Sequence, residues 1–313
     1  MSFLKQSAEI SDNALELRGP STASSSSRRH LVICTYNIRY ARGPFLISGG
    51  LLRRVGITSR SFRPQLIDRN ITRAASFFGP GNSLPSPDFL ALQEADNASL
   101  RAGGHHIASE LAEQLSMAYA YAGAGNSHSG EPQRKQWYLD FEERIESGQP
   151  GETGIAVLSR IALKRVERIE LPWFGCPWRP RLAIAAIMNL GCSDLILINA
   201  HIDPHASLAE RLEQHNAIIR HADGHEGPAV LLGDFNTLSQ ESCLAMRQLH
   251  ESKGFSTPMP TGTSTWRSGL IRLHTDWIFT RGIEISRFGV ARNLRISDHW
   301  PVWAELKLQV SEK

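Results

Sequence analysis

The chain has 313 residues, 41% hydrophobic and 21% charged, with a formal net charge of +3. That is enough for one large core, and the charge is compatible with an anionic substrate but too small to identify a nucleic-acid binder. No apolar run reaches the length of a membrane span.

The opening stretch, with SSSS and a Gly-Pro pair, lacks the continuous apolar segment of a secretory signal, so residues 1–29 are expected to be a disordered polar tail. Residues 30–310 then read as a single domain. Strand-like runs follow in order: LVICTYNI, FLALQ, AYAYAG, GIAVLS, RLAIAAIMNL, DLILINAHI, AVLLGDF, DWIFT and PVWAELKL. Residues 104–117, 207–222 and 241–252 read as helices. In the second of these Leu208, Leu212, His215 and Ile219 share one face, which suits packing on a sheet. The pattern predicts a sandwich of sheets with helices outside. Two segments read as insertions. One, 43–70, is rich in Gly and Arg, with Arg42, Arg53, Arg54, Arg60, Arg63 and Arg69 in or beside it, and the other, 126–152, is polar around QWYLDF. Long connections of this kind often cover a site.

Cys34, Cys176, Cys192 and Cys243 show neither zinc spacing nor a dense disulfide pattern, and a reducing cytoplasm is the expected location. The tract containing His221, Asp223 and His225 reads as a solvated turn, and His105-His106 as capping or surface structure.

Chemistry-bearing residues fall at the ends of apolar runs: Asn37 in TYNIR, Glu94 in LQEAD, His201 in NAHID, Asp234 and Asn236 in GDFN, Asp276 in HTDWIF, and Asp298-His299 in SDHWP. Carboxylates, amides and imidazoles converging at strand ends can hold a hard divalent cation and a phosphate. The ordered series resembles the endonuclease/exonuclease/phosphatase superfamily. That resemblance implies an α/β fold, a four-layer sandwich of two packed, mostly antiparallel β-sheets flanked by helices, of the deoxyribonuclease-like kind. It implies hydrolysis of a phosphoester with Mg2+, or Mn2+, by in-line attack of water.

Carried over by motif, Glu94, Asn37 and Asp298 resemble the metal environment, and Asp234 the residue that orients or deprotonates water. Asn236 resembles an amide contacting phosphate, while His299, with Asp276 as its carboxylate partner, and His201 resemble the phosphate-facing histidines of the deoxyribonuclease and sphingomyelinase branches. Some repair-endonuclease relatives carry an acidic residue where this chain has Arg39, so one metal carboxylate is missing by that comparison. Arg181, or Arg179 beside it, stands where relatives often place a phosphate-binding arginine; its other reading is a surface arginine at a strand start. Trp173, Phe174 and Trp178 could stack on a base, enter a lipid interface, or pack under their loop. The substrate expected is a small or lipid-like phosphodiester. DNA or RNA, and sugar, inositol or nucleotide monophosphates, remain alternatives, as does a non-enzymatic protein binding nucleic acid or anionic lipid at a membrane surface.

Overall fold

A computed structural model describes residues 9–10, 15–18, 29–44, 62–82, 84–124, 145, 148–173, 181–190 and 193–308. Two short strands come first, β1 (Glu9–Ile10) and β2 (Leu15–Arg18), followed by β3 (His30–Asn37) and helix α1 (Arg63–Phe78). Strand β4 (Phe89–Gln93), helix α2 (Ile107–Leu115), β5 (Ala118–Gly123), β6 (Gly154–Ser159) and β7 (Leu163–Glu170) continue the chain. Next come β8 (Leu182–Asn189), β9 (Asp194–His201), α3 (Leu208–Asp223), β10 (Ala229–Asp234) and α4 (Gln240–Ser252). The last are β11 (Trp266–Ser268), β12 (Ile271–Leu273), β13 (Asp276–Arg281), β14 (Glu284–Val290) and β15 (Val302–Lys307).

The strands form a six-stranded sheet, β1-β7-β8-β9-β10-β13, a seven-stranded sheet, β14-β15-β3-β4-β6-β5-β2, and a separate hairpin, β11-β12. Pairing is antiparallel except at β1/β7, β3/β4 and β9/β10. Alternation along the strands sorts side chains into two layers. On β3, Leu31 and Ile33 enter the core between the sheets with Leu197, Leu232 and Ile278, whereas Cys34 and Tyr36 point outward beneath α1 and α2. On the other sheet Ile196, Ile198, Leu231 and Phe279 pack under α3 and α4. Helix, sheet, sheet, helix is the four-layer sandwich expected.

In the tail and insertions, two features differ from expectation. Leu15–Arg18 is an edge strand on β5, with Glu16 accepting from Tyr119 Oη at 2.7 Å, so this part of the 1–29 segment is not a disordered tail. Within the supposed insertion 43–70, residues 63–70 open helix α1, with Pro64 in its first turn, and 45–61 lie outside the described residues. Ile67, Ile71, Ala74 and Phe78 recur at 4, 3 and 4 residues and bury one stripe of that helix. Most of the second insertion also lies outside the described residues.

His106 caps α2 and His105 bonds Glu110 at 2.7 Å, as capping and surface groups. Of the tract read as a solvated turn, His221 and Asp223 instead end helix α3, paired with Glu167 and Arg281, and His225 follows in the turn, bonded to the Asp194 carbonyl. Cys34 and Cys243 are buried and free, while Cys176 and Cys192 lie outside the described residues.

Candidate active site

Strand register brings the polar residues together. Asp234 ends β10 with His201 of β9 directly beside it on one flank and Asp276 of β13 on the other. All three continue faces that carry Leu232, Asn199 and Ile278 into the space between the sheets, so the polar ends lie where that core opens. On the facing sheet Asn37 ends β3 beside Gln93, and Glu94 follows at once. Gly233 has φ +145, and a Cβ there would lie 2.0 Å from the Ala200 carbonyl oxygen, so only glycine lets β10 approach β9 this closely.

The turns leaving these strands are bent into the left-handed region. Arg39, Tyr40 and Ala41 have φ of 46, 41 and 54, Glu94 has 50 and Asn236 has 49. Each such non-glycine residue costs on the order of 1–2 kcal/mol, and the surrounding bonds hold the conformation. Arg39 N donates to Asn37 Oδ1 at 3.0 Å, Tyr40 N to the Glu94 carbonyl at 2.9 Å, and Asn236 N to Asp234 Oδ1 at 3.1 Å.

Asn37 is the central tie: its Nδ2 donates to Glu94 Oε1 at 3.2 Å and to Asp234 Oδ2 at 2.9 Å. His299 Nδ1 faces Asp276 Oδ2 at 2.9 Å and Oδ1 at 3.1 Å, and its Nε2 lies 3.8 Å from Asp234 Oδ2. His201 Nε2 lies 3.5 Å from the same Asp234 oxygen, with Arg181 Nη1 2.9 Å from Nδ1 of that ring. Asp234 thus stands between two imidazoles. Asn236 Nδ2 donates to the Ile202 carbonyl at 2.8 Å, and its own carbonyl accepts from Arg211 at 2.7 Å.

Electrostatics separates the roles. Burial alone would favour a neutral His299, but Asp276 and Asp234 more than reverse it and push the ring up to about 10, so it is cationic at neutral pH. Burial also pushes Asp234 up, to about 7, against the pull of His299.

One cavity is lined by the polar residues Arg39, Glu94, Arg181, His201, Asp234, Asn236, Thr275, Asp298 and His299 together with the apolar Pro204, Leu238, Trp266 and Leu273. Arg181 is 7% exposed, which argues against a surface arginine. Arg179, Phe174 and Trp178 lie outside the described residues, and Trp173 is half exposed.

Six lining residues are not among those the motifs single out: Arg39, Pro204, Leu238, Trp266, Leu273 and Thr275. Arg39 is buried with Nη1 3.0 Å from Asp298 Oδ2. Trp266 donates from Nε1 to the same oxygen at 3.0 Å. The NIR triplet placed Arg39 beside the site; nothing local marks Trp266, which reaches it from a separate hairpin.

The donor set can be tested against a divalent cation. Among the described residues, the group of metal-capable side chains whose ligand atoms lie within 4.8 Å of one another is Asp234, Asp276 and His299. A cationic His299 bonded to Asp276 is a poor ligand. Glu94 and Asp298, by contrast, are oxygen donors that line the same cavity, with Asn37 between Glu94 and Asp234. Hard oxygen ligands of this kind fit magnesium or manganese. Asn37 Oδ1 faces Arg39 N here, so the amide acts as a strut between carboxylates.

The chain matches the Endonuclease/Exonuclease/phosphatase family over residues 34–299 and belongs to it. Members are generally metal-dependent phosphoester hydrolases. No curated protein is similar enough in sequence to register as a match. Among solved structures, an endonuclease/exonuclease/phosphatase from Beutenbergia cavernae superposes with TM-score 0.59 at 18% identity, covering 90% of this chain and 72% of that one. A family protein from Leptotrichia buccalis gives 0.57 at 16%, covering 89% and 100%, and TDP2 from C. elegans 0.54 at 15%, covering 89% and 75%. At these identities the likeness concerns the fold. No helix among the described residues is long and apolar enough to cross a membrane.

Proposed function

We propose that this family member is a cytoplasmic, magnesium-dependent phosphodiesterase acting on a small or lipid-like substrate, with manganese as a substitute ion. The observation that carries the reading is Asp234 standing between His201 and His299, at 3.5 and 3.8 Å. Two phosphate-facing imidazoles flanking one carboxylate suit a centre on which an attacking water and a leaving alkoxide are both served.

In this reading Asp234, raised toward neutrality by burial, orients the water and takes its proton. His299, cationic and fixed by Asp276, neutralises charge on the pentavalent phosphorus and can protonate the departing oxygen. Arg181, seated against His201, binds a non-bridging oxygen, and Asn236 completes the phosphate contacts. Glu94 and Asp298, with Asn37 as support, would hold the ion, which supplies Lewis-acid polarisation of the phosphate. The apolar lining residues Pro204, Leu238, Trp266 and Leu273 favour a substrate with a hydrophobic group beside the ester.

A panel of phosphodiesters and phosphomonoesters, including nucleic acids, phospholipids and sugar phosphates, assayed with magnesium tests the assignment. The expected winner is an apolar-substituted diester. Preferential release of phosphate from monoesters, or rapid cleavage of plasmid DNA at physiological salt, would contradict it.

A further inference from the structure

The hairpin β11-β12 does more than wall the cavity. Trp266 and Leu273 are cross-strand partners that face the site, while the next pair, Arg267 and Arg272, lies on the opposite face. There the guanidinium groups of Arg267, Arg272 and Arg292 gather on the Trp300 ring, 5.1, 5.9 and 5.5 Å from its centroid. Among the described residues none of the three is paired with a carboxylate; Arg272 donates to the Gly269 and Ile271 carbonyls and Arg292 to that of Ser264. Like charges held this close repel unless an anion joins them. At the tip Leu270 is 99% exposed and Ile271 37%.

We propose that this hairpin docks the protein on an anionic phospholipid surface, with Leu270 and Ile271 entering the acyl boundary and the three arginines meeting headgroup phosphates. The inference rests on, and deepens, the lipid-like reading of the site. An aliphatic tip with arginines set behind it on one face is the arrangement an interfacial element needs, apolar groups below and cations at headgroup level. A nucleic-acid track would spread its cations along a line and offer exposed aromatics for stacking; here the cations converge on one buried ring and the tip is aliphatic. The hairpin is also fastened to the catalytic strand end. Arg267 N donates to the Asp298 carbonyl at 2.9 Å and Trp300 N to that of Thr265 at 2.7 Å. A molecule rising from the surface at Leu270 therefore meets Leu273 and Trp266 before Asp298 and His299.

Sedimentation with vesicles of mixed phosphatidylglycerol and phosphatidylcholine, against pure phosphatidylcholine, tests the docking. The intact protein should bind the anionic vesicles and release them as salt rises. The double variant Leu270→Ser, Ile271→Ser should bind roughly ten-fold or more weakly, from lost apolar burial. Arg272→Gln with Arg292→Gln should lose about five-fold per arginine. Hydrolysis of soluble bis-p-nitrophenyl phosphate should be unchanged in both. Absence of binding by the intact protein, equal binding by the Leu270 and Ile271 variant, or an arginine effect seen on duplex DNA but not on vesicles would overturn the proposal. If vesicles are bound but the soluble diester is not cleaved, docking stands and the reading of the active site fails; cleavage without binding is the reverse.

Discussion

Gln93 Nε2 donates to Asn199 Oδ1 at 2.6 Å across the space between the two sheets, and both side chains are fully buried. Asn199 in turn donates to the Leu92 and Ala156 carbonyls at 3.0 and 2.9 Å, and Gln93 to Thr35 Oγ1 at 3.0 Å. A polar clasp thus joins β4 to β9 one residue before Glu94 and two before His201. It fixes one sheet's contribution to the site against the other's.

Breaking the clasp from one side should be costly. Asn199→Ala strands a buried amide and removes two donors, at about 1–3 kcal/mol for each group left unsatisfied. Urea unfolding should show that loss, and pairing the change with Gln93→Leu should cost less than the sum of the two. Strict additivity would mean that the two amides do not act as a unit.

Much of the site was legible because its residues are unusual company for strand ends: TYN, LQE, NAH and GDFN place a polar group where an apolar run stops, and SDH places one just before a run begins. Register did the rest, since Asp234, His201 and Asp276 are neighbours across three adjacent strands. Other elements were hidden for physical reasons. Strand β7 alternates poorly and is rich in charge, and β14 is largely exposed, so neither carries the apolar signature of a central strand. Helix α1 buries its stripe among arginines that gave the segment the look of a loop. The bond from Trp266 to Asp298 spans 32 residues, and no local pattern encodes it.

The acid side of the stability profile should depend on a pair outside the site. His250 Nε2 meets His215 Nδ1 at 3.0 Å beneath Phe235, both rings are buried, and burial lowers His250 from 6.5 to about 3. Because the folded value lies below the free one, the neutral ring's contribution is complete above pH 6.5 and is lost as pH falls toward 3. Each unit of displacement is worth about 1.4 kcal/mol. Unfolding measured from neutral to acid pH should steepen through that window and flatten in His250→Gln; an equally steep variant would contradict the assignment.

His299 and Asp276 should behave as one catalytic unit. Either replacement, His299→Ala or Asp276→Asn, should lower kcat by about 10²–10⁴ with the fold retained. The double variant should lose little more than the worse single one. Multiplying losses would show that Asp276 does not act through the imidazole.

Asp234→Asn keeps the shape and one of the two bonds accepted from Asn37 Nδ2 and Asn236 N, but removes the base. Turnover should fall by a comparable factor while manganese affinity, read by calorimetry, stays near that of the unaltered protein. Loss of the ion along with activity would move Asp234 into the ligand set.

The most direct measurement is turnover of a soluble phosphodiester, bis-p-nitrophenyl phosphate, by the intact protein and by Glu94→Gln, each after chelation and after magnesium is restored. Chelation should abolish turnover, magnesium should recover it, and Glu94→Gln should remain at least about 10²-fold slower and bind the ion weakly. Turnover that survives chelation, or that is indifferent to Glu94, would contradict a metal-dependent phosphodiesterase built at these strand ends.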